Sequence, residues 1–403
     1  MRILIIVDCY YPTTKSSAKL VHDLGVELHA HEHEVTILAP SESLVEKSQV
    51  TTEDGLQILR VRTGKIKGAN LISRAWHEVR LSASLWRGAR EFLEENPHDG
   101  IVFYSPSIFF GAIVAKLKRT WKCPAYLILR DIFPQWAVDA AVLRKGFIYR
   151  YFRRRELQQY EAADIIAVQT PGNLKYFSEQ LPLKHYRMEV LFNWTPLNEP
   201  NVPRSGYRAH LGLQNKVVFF FGGNIGVAQD MDNILRLAEA LQGDDKAFFL
   251  LVGEGSEVRR LRTVLQQKRL KNIRLLPAVE QHEYLAMLSE FDVGLISLDK
   301  RLTTQNVPGK LMGYMQYSKP VLASINPGND LKQILDDAQA GFCLINGDDD
   351  GLRRAALKLL QDENLRQQCG RNCLRLLEKT FAVSAAAEQI LNGLNTGRRL
   401  LDR

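Results

Sequence analysis

The sequence predicts an α/β protein of two doubly wound domains in tandem, each a parallel sheet covered by helices on both faces. Three observations predict it. Short apolar runs alternate with helix-length amphipathic stretches along both halves of the chain. A polar segment with three prolines, Pro196, Pro200 and Pro203, separates the halves. The chain has 403 residues, too many for one hydrophobic core.

In the first half RILIIVDCYYP opens as a buried strand. SAKLVHDLGVELHAH follows with Leu20, Val21, Leu24 and Leu28 at helical spacing. HEVTILAP and GLQILRVRT read as strands, and a long basic helical region runs from about Ala69 to Asn96. GIVFYSP, a helix through GAIVAKLKR, CPAYLILRD, ADIIAVQT and MEVLFN complete this half. After Asn193 the linker NWTPLNEPNVPRSG leads into a second set. VVFFFGGNIG, AFFLLVGEGSE, IRLLPAV, DVGLISL, PVLASINPG and GFCLING are its strands. Helices through MDNILRLAEALQG, VRRLRTVLQQK, HEYLAMLSEF and KLMGYMQY alternate with them, and the chain from Gly351 onward is helical and charged.

Composition narrows the class. Apolar residues make up 45% and charged residues 24%, the mix of a globular protein. No run approaches the roughly 18–20 apolar residues of a membrane span. The opening residues carry no basic leader and no small-residue cleavage site, so no signal peptide is expected. Cys9, Cys123, Cys343, Cys369 and Cys373 are odd in number and scattered, which fits the cytosol and specifies no disulfide or zinc framework. A formal charge of +8 suits an anionic partner: a nucleotide, a nucleic acid or a membrane surface.

In a doubly wound sheet ligands dock at the C-terminal ends of strands. FFGGNIGVAQ places Gly222, Gly223, Asn224 and Gly226 between a strand and a helix; it is either a phosphate cradle or a tight turn with no ligand. LLVGEGSE repeats the device with Gly253, Glu254 and Gly255, where Glu254 is a hydroxyl acceptor or a solvated turn carboxylate. In TTQNVPGKLMGYMQYSKPVLAS, Lys310 opens a helix after Val307, Pro308 and Gly309. A cation is unfavourable at a helix N-terminus, so a lysine beside such glycines points to phosphate, with a solvated lysine as the alternative. PTTKSSAKL offers Lys15, Ser16 and Ser17 for an anion or for capping. LILRDIFPQWA sets Arg130 and Asp131 at a strand end, either facing a cleft or paired as a structural ion pair. The stretch from Leu71 to Arg90, with Trp76 and Trp86, and the run Arg153–Arg155 combine basic and aromatic residues. They read either as a membrane surface or as solvated helix faces.

Taken together, ILIIVDCYYP, HEVTILAP, LRDIFPQWA, YEAADIIAVQT, VLFNW, FFGGNIGVAQ, LLVGEGSE and VPGKLMGYMQYSKPVLAS resemble family 4 glycosyltransferases over nearly the whole chain. The resemblance implies the GT-B fold, two Rossmann-like doubly wound domains facing across a cleft, and retaining transfer. Residues 1–195 are then an acceptor domain and 196–379 a nucleotide-sugar donor domain, with a final helix at 380–403 expected to pack back on the first. RDIFP, GNIGVAQ and VPGK are similar to the branch of bacterial surface-polysaccharide enzymes that add N-acetylfucosamine-type sugars to lipid-linked acceptors, as in O-antigen or capsule assembly.

The resemblance also implies roles. The loop Gly222, Gly223, Asn224, Gly226 contacts the donor diphosphate, Lys310 neutralises it, and Pro277, Ala278 and Val279 hold the base through backbone atoms. Gly253, Glu254, Val307, Pro308 and Gly309 complete the donor side. Lys15, Ser16, Ser17 and Arg130 are placed on the acceptor side, and Asp131 orients the acceptor or the reacting sugar. The family's paired glutamates are here Gln305 and Gly313, and Gln229 stands where a lysine is usual. Glutamine still bonds a sugar hydroxyl; glycine does not replace a ribose contact. No Asp-x-Asp metal site falls in a suitable loop, so the expected donor is a UDP-sugar handled without metal or other cofactor. The expected acceptor is a polyprenyl-diphosphate-linked saccharide at an anionic inner-membrane surface, with the protein cytoplasmic and peripheral there. Nucleic acid is not an expected partner, since no recognition module is visible. The competing readings are a nucleotide-sugar epimerase of the same fold and a catalytically silent scaffold in a polysaccharide assembly, the latter motivated by the missing glutamates.

Overall fold

The computed structural model describes residues 1–13, 16–63, 71–139, 143–180, 186–197, 206–302 and 307–401; residues 16, 71–79, 136, 139, 180 and 400–401 are described by backbone alone. The chain divides into two compact units, Met1–Thr195 with Val383–Arg403, and Pro196–Ala382.

The first unit is an eight-stranded sheet of order β3-β4-β2-β1-β5-β6-β7-β8. Its strands are β1 (Arg2–Ile6), β2 (Glu34–Ser41), β3 (Ser48–Glu53), β4 (Leu56–Arg62), β5 (Gly100–Tyr104), β6 (Ala125–Leu129), β7 (Ile165–Val168) and β8 (Arg187–Val190). All pairings are parallel except β3 with β4. The central strands are apolar throughout because both faces are covered. Alternate residues feed two cores. Leu4, Ile6, Leu38, Phe103 and Leu127 face Leu81, Leu85, Val114 and Tyr160. Ile3, Ile5, Ile37, Val102 and Ile128 face Val21, Leu24, Leu28, Ile390 and Leu394. The helices of this unit are α1 (Ser16–Ala30), α2 (Leu71–Glu95), α3 (Gly111–Trp121), α4 (Gln135–Asp139), α5 (Phe147–Ala162) and α6 (Pro171–Gln180).

The second unit is a six-stranded parallel sheet. It comprises β9 (Val217–Gly222), β10 (Ala247–Val252), β11 (Ile273–Leu276), β12 (Val293–Ser297), β13 (Val321–Ile325) and β14 (Gly341–Ile345). The order β11-β10-β9-β12-β13-β14 reverses between β9 and β12. Connections leave these two strands toward opposite faces, so a crevice opens beyond their C-terminal ends. Its helices are α7 (Tyr207–His210), α8 (Met231–Ala240), α9 (Val258–Lys268), α10 (Gln281–Glu290), α11 (Lys310–Gln316), α12 (Leu331–Ala338), α13 (Asp349–Gln361) and α14 (Glu363–Leu376). The last helix, α15 (Val383–Leu401), lies on the first unit, where Gln389 Nε2 donates to Glu189 Oε1 and to the Val190 carbonyl, both at 2.9 Å.

Three sequence expectations change here. β3 lies in a stretch not read as a strand: it is a polar, largely exposed edge strand joined to β4 through Asp54 and Gly55, both at positive φ. Trp86 is half-buried against the first core with the Lys116 ammonium 3.8 Å from its ring centroid, so it is not a fully exposed aromatic; the side chain of Trp76 lies outside the described residues. In the run Arg153–Arg155, Arg153 turns inward to the fully buried Glu156 at 2.6 Å. Among the described residues no helix is long and apolar enough to cross a membrane.

Candidate functional site

At the C-terminal edge of the second sheet the loops after β9 and β10 are knitted together. The Gly223 amide donates to the Val252 carbonyl (2.9 Å), the Ile225 amide to the Glu254 carbonyl (2.7 Å) and the Glu257 amide to the Ile225 carbonyl (3.0 Å). Gly223 has φ +116°, and a Cβ on Gly253 would fall 1.8 Å from the Gly223 carbonyl oxygen. Gly253→Ala therefore forces the two loops apart. It is expected to destabilise the protein by roughly 1–3 kcal/mol, read as a lower Tm, because neither backbone can yield without losing hydrogen bonds. An unchanged Tm would contradict this packing. Gln229 Oε1 accepts from the Gly226 amide and from Asn224 Nδ2, both at 3.1 Å, and so closes the turn that leads into α8. Its side-chain oxygen is engaged within the loop.

Lys310 is the first residue of α11. Its Nζ lies 3.3 Å from the ring centroid of Phe221, the residue before Gly222 on β9. The fold thus brings Lys310 to the root of the glycine loop. The ammonium is buried and has no hydrogen-bond partner among the described residues. Burial pushes its pKa down to about 7. The aromatic face returns part of the lost solvation. An unpaired buried amine is costly, and an anion oxygen beside it would offset that cost. Val307 is buried, Pro308 half-buried and Gly309 exposed just ahead of it. After β11, Pro277 and Ala278 are exposed and Val279 half-buried. Glu254 is exposed. Gln305 lies outside the described residues.

Gly313, on α11, packs closely: a Cβ there would meet Leu288 at 3.1 Å and the Tyr284 hydroxyl at 3.9 Å. The same tyrosine ring would stand 2.2 Å from a Cβ on Gly222. Tyr284 thus fills the space that these two glycines leave. Burial raises its pKa, so its hydroxyl stays protonated. Buried asparagines brace the neighbouring loops: Asn346 Nδ2 donates to Asp230 Oδ2 and to the Leu298 carbonyl, both at 2.8 Å. The residue-level reading missed Tyr284, Phe221 and Asn346. A lone Tyr, Phe or Asn carries no pattern; the one available signal was a glycine at 313 in a helix, where small size implies a bulky neighbour.

In the first unit a cavity of about 690 Å³ lies at the C-terminal edge of the sheet, between the loops after β1, β2, β5 and β6. The order reverses there too, between β1 and β5. Asp8, Arg60, Ser107 and Asp131 contribute polar groups and Phe109 and Phe133 apolar wall. Asp131 stands at the rim. Desolvation first, and then the Asp8 carboxylate, hold its carboxyl above the ordinary range. Arg130 does not join it. Its guanidinium turns into the protein, donating to the Leu191 carbonyl (2.5 Å) and the Phe192 carbonyl (3.3 Å), 5.5 Å from the Trp194 ring. Expected on the acceptor side, Arg130 here braces the 191–194 segment through these two carbonyls. Lys15 lies outside the described residues, and Ser16 is described by backbone alone. Ser17 Oγ sits 3.2 Å from Cys9 Sγ. Among the described residues no cluster of His, Cys, Asp and Glu could hold a metal ion.

Residues 17–194 match the family described as Glycosyl transferase 4-like domain, and residues 205–374 match Glycosyl transferases group 1. The chain is 28% identical over 226 residues to a probable glycosyltransferase, WbjE, of Pseudomonas aeruginosa, covering 54% of each protein. It is 26% identical over 120 residues to the putative colanic acid biosynthesis glycosyl transferase WcaI of Escherichia coli K12, covering 30% of this chain and 29% of that one. The matched stretch thus spans about half of the first relative's length and less than a third of the second's. Among solved structures, sucrose-phosphate synthase from Thermosynechococcus elongatus superposes with a TM-score of 0.71 at 16% identity, covering 100% of this chain and 99% of that one. Anabaena Alr3699/HepE in complex with UDP gives 0.69 at 15% identity, covering 98% and 100%. At these identities the likeness shows the fold, two parallel-sheet Rossmann-like domains of the GT-B kind.

Proposed function

The chain joins a glycosyl transferase 4-like domain to a glycosyl transferases group 1 domain in a GT-B fold, and from that premise we propose a retaining glycosyltransferase that uses a UDP-sugar. The sugar is an N-acetylated deoxyhexose of the N-acetylfucosamine type, and the acceptor is a polyprenyl-diphosphate-linked saccharide in surface-polysaccharide assembly. The observation that carries the reading is Lys310: a buried amine without a partner among the described residues, held against the strand that ends in the glycine loop. The UDP complex of HepE supports a uridine diphosphate donor. The colanic acid name of WcaI and the lipopolysaccharide role of WaaG, a further structural neighbour, support a polysaccharide product.

In this mechanism the diphosphate lies against the Gly222–Gly226 loop, where the glycines let it approach the backbone closely, and meets the Lys310 ammonium. As the glycosidic bond to the diphosphate breaks, negative charge grows on the leaving oxygens. Lys310 stabilises that charge more than it stabilises the intact donor, which is what lowers the barrier. The base rests on the backbone of Pro277–Val279. Asp131 at the rim of the first cavity orients the acceptor hydroxyl. The protein works at the cytoplasmic face of the inner membrane as a peripheral enzyme.

The test incubates the full chain with a panel of UDP-sugars and a synthetic polyprenyl-diphosphate saccharide, reading product mass. The expected result is an acceptor heavier by one sugar residue, with UDP released in equal amount. Isomerised donor with no acceptor dependence would instead identify an epimerase. No turnover of any donor would favour the scaffold reading.

A further inference from the structure

The first turn of α5 carries an adjacent pair of exposed large apolar side chains, Phe147 at 84% and Ile148 at 63% exposure. Single exposed apolar residues are ordinary, but two large neighbours at the tip of a helix are not explained by the fold. The body of this helix is firmly held. Glu156, Gln159 and Tyr160 are buried, and the Phe152 ring packs 5.0 Å from Phe133. Its N-terminal turn follows Gly146, which supplies no side-chain cap. Along this stretch of chain the charge has one sign. Arg144, Lys145, Arg150 and Arg154 are all exposed, and no acidic residue occurs from Leu143 to Arg155. The Arg150 guanidinium lies 4.7 Å from the Phe147 ring centroid, so cation and aromatic form one surface. Arg153, whose charge Glu156 neutralises, faces inward and is not part of it.

We propose that this tip, Phe147 and Ile148 with Arg144 and Lys145 just before them in the chain and Arg150 against the Phe147 ring, inserts into the headgroup region of an anionic bilayer. The proposal rests on the membrane-bound acceptor argued above and names the element that meets the bilayer. Apolar side chains of this size gain by leaving water at the acyl boundary, while the neighbouring cations remain at the level of anionic headgroups. A protein partner would need complementary carboxylates; an uninterrupted basic stretch carrying two exposed apolar side chains matches an anionic lipid surface better.

The test uses the full chain and its double variant Phe147→Ser/Ile148→Ser, whose side chains touch little and whose Tm should match the parent. Sedimentation is measured with phosphatidylcholine vesicles with and without phosphatidylglycerol. The parent is expected to bind only the anionic vesicles, less so in high salt. The double variant should bind about tenfold more weakly or worse. In Phe147→Trp, emission in excess of the parent's should shift to the blue and be quenched by brominated lipid. UDP affinity, measured without vesicles, should be the same in parent and variants, which separates failure here from failure of the transferase reading. Equal vesicle binding by the double variant, or no quenching of the indole introduced by Phe147→Trp, would overturn the proposal. So would a change of oligomeric state caused by the double variant in the absence of lipid, since that would make the tip a contact between copies.

Discussion

Lys310→Ala is expected to slow sugar transfer by about 2–4 kcal/mol in barrier, the scale of losing one preorganised stabiliser of developing charge. The loss should fall on kcat as well as on donor affinity, because the interaction strengthens as the leaving diphosphate gains charge. Stability should move the other way. A buried amine without a partner among the described residues costs the folded state, so Lys310→Met should raise Tm while slowing transfer as Lys310→Ala does. The pH dependence carries the same signature. Burial holds the folded pKa at about 7, below the roughly 10.4 of an unfolded lysine. Between those values the unfolded chain binds more protons, so stability rises with pH across that window, and this rise is lost in the methionine variant. Donor affinity runs oppositely: it requires the protonated amine and should weaken as pH climbs through about 7. A bound diphosphate draws the pKa back up, so turnover at saturating donor should persist to higher pH than kcat/KM. Near-normal transfer by Lys310→Ala would remove the residue from the mechanism.

Asp131→Asn is expected to cut turnover on the order of 10²-fold, the cost of misplacing a reacting group, while UDP affinity hardly changes. The competing explanation is an ion pair with Arg130 or another cation that merely holds the loop. The geometry gives Arg130 other work: it donates to the Leu191 and Phe192 carbonyls. Asp131 also sits near the Asp8 carboxylate, which disfavours its charge. Its folded pKa is raised, so the native state gains nothing from ionising it, and the asparagine variant should melt at or slightly above the parent temperature near pH 7. Thermal melts and transfer rates on the same preparations check this. A lower Tm with unchanged turnover per folded molecule would make Asp131 a structural residue.

The sheet strands were legible because a parallel strand covered on both faces has to be apolar end to end, as VVFFFG and AFFLLV are. β3 was not, because an exposed polar edge strand such as SQVTTE carries no burial pattern; the Asp54–Gly55 turn was its one local signal. Lys310 stood out because it breaks a local rule, a cation opening a helix. Its burial against Phe221 depends on β9 and α11 meeting, and no local window contains that. Tyr284 lies on a third element and was invisible for the same reason. Arg130 misled because adjacency to Asp131 in sequence implied a shared surface, whereas at the end of β6 the two side chains part, one toward the 191–194 carbonyls and one toward the cavity. The basic run Arg153–Arg155 misled similarly: charge alone did not tell that Arg153 turns inward to Glu156 while Phe147, outside the run, stays exposed.

The second unit is expected to bind a nucleoside diphosphate at the glycine loop and Lys310. Calorimetric titration of UDP into the full chain and into Lys310→Ala tests it most directly. One UDP per chain is expected for the parent, with affinity that falls as pH rises through about 7, and binding weakened at least about tenfold in the variant. UDP bound equally well by both proteins would contradict the placement of the diphosphate, and no binding by the parent would contradict the donor itself.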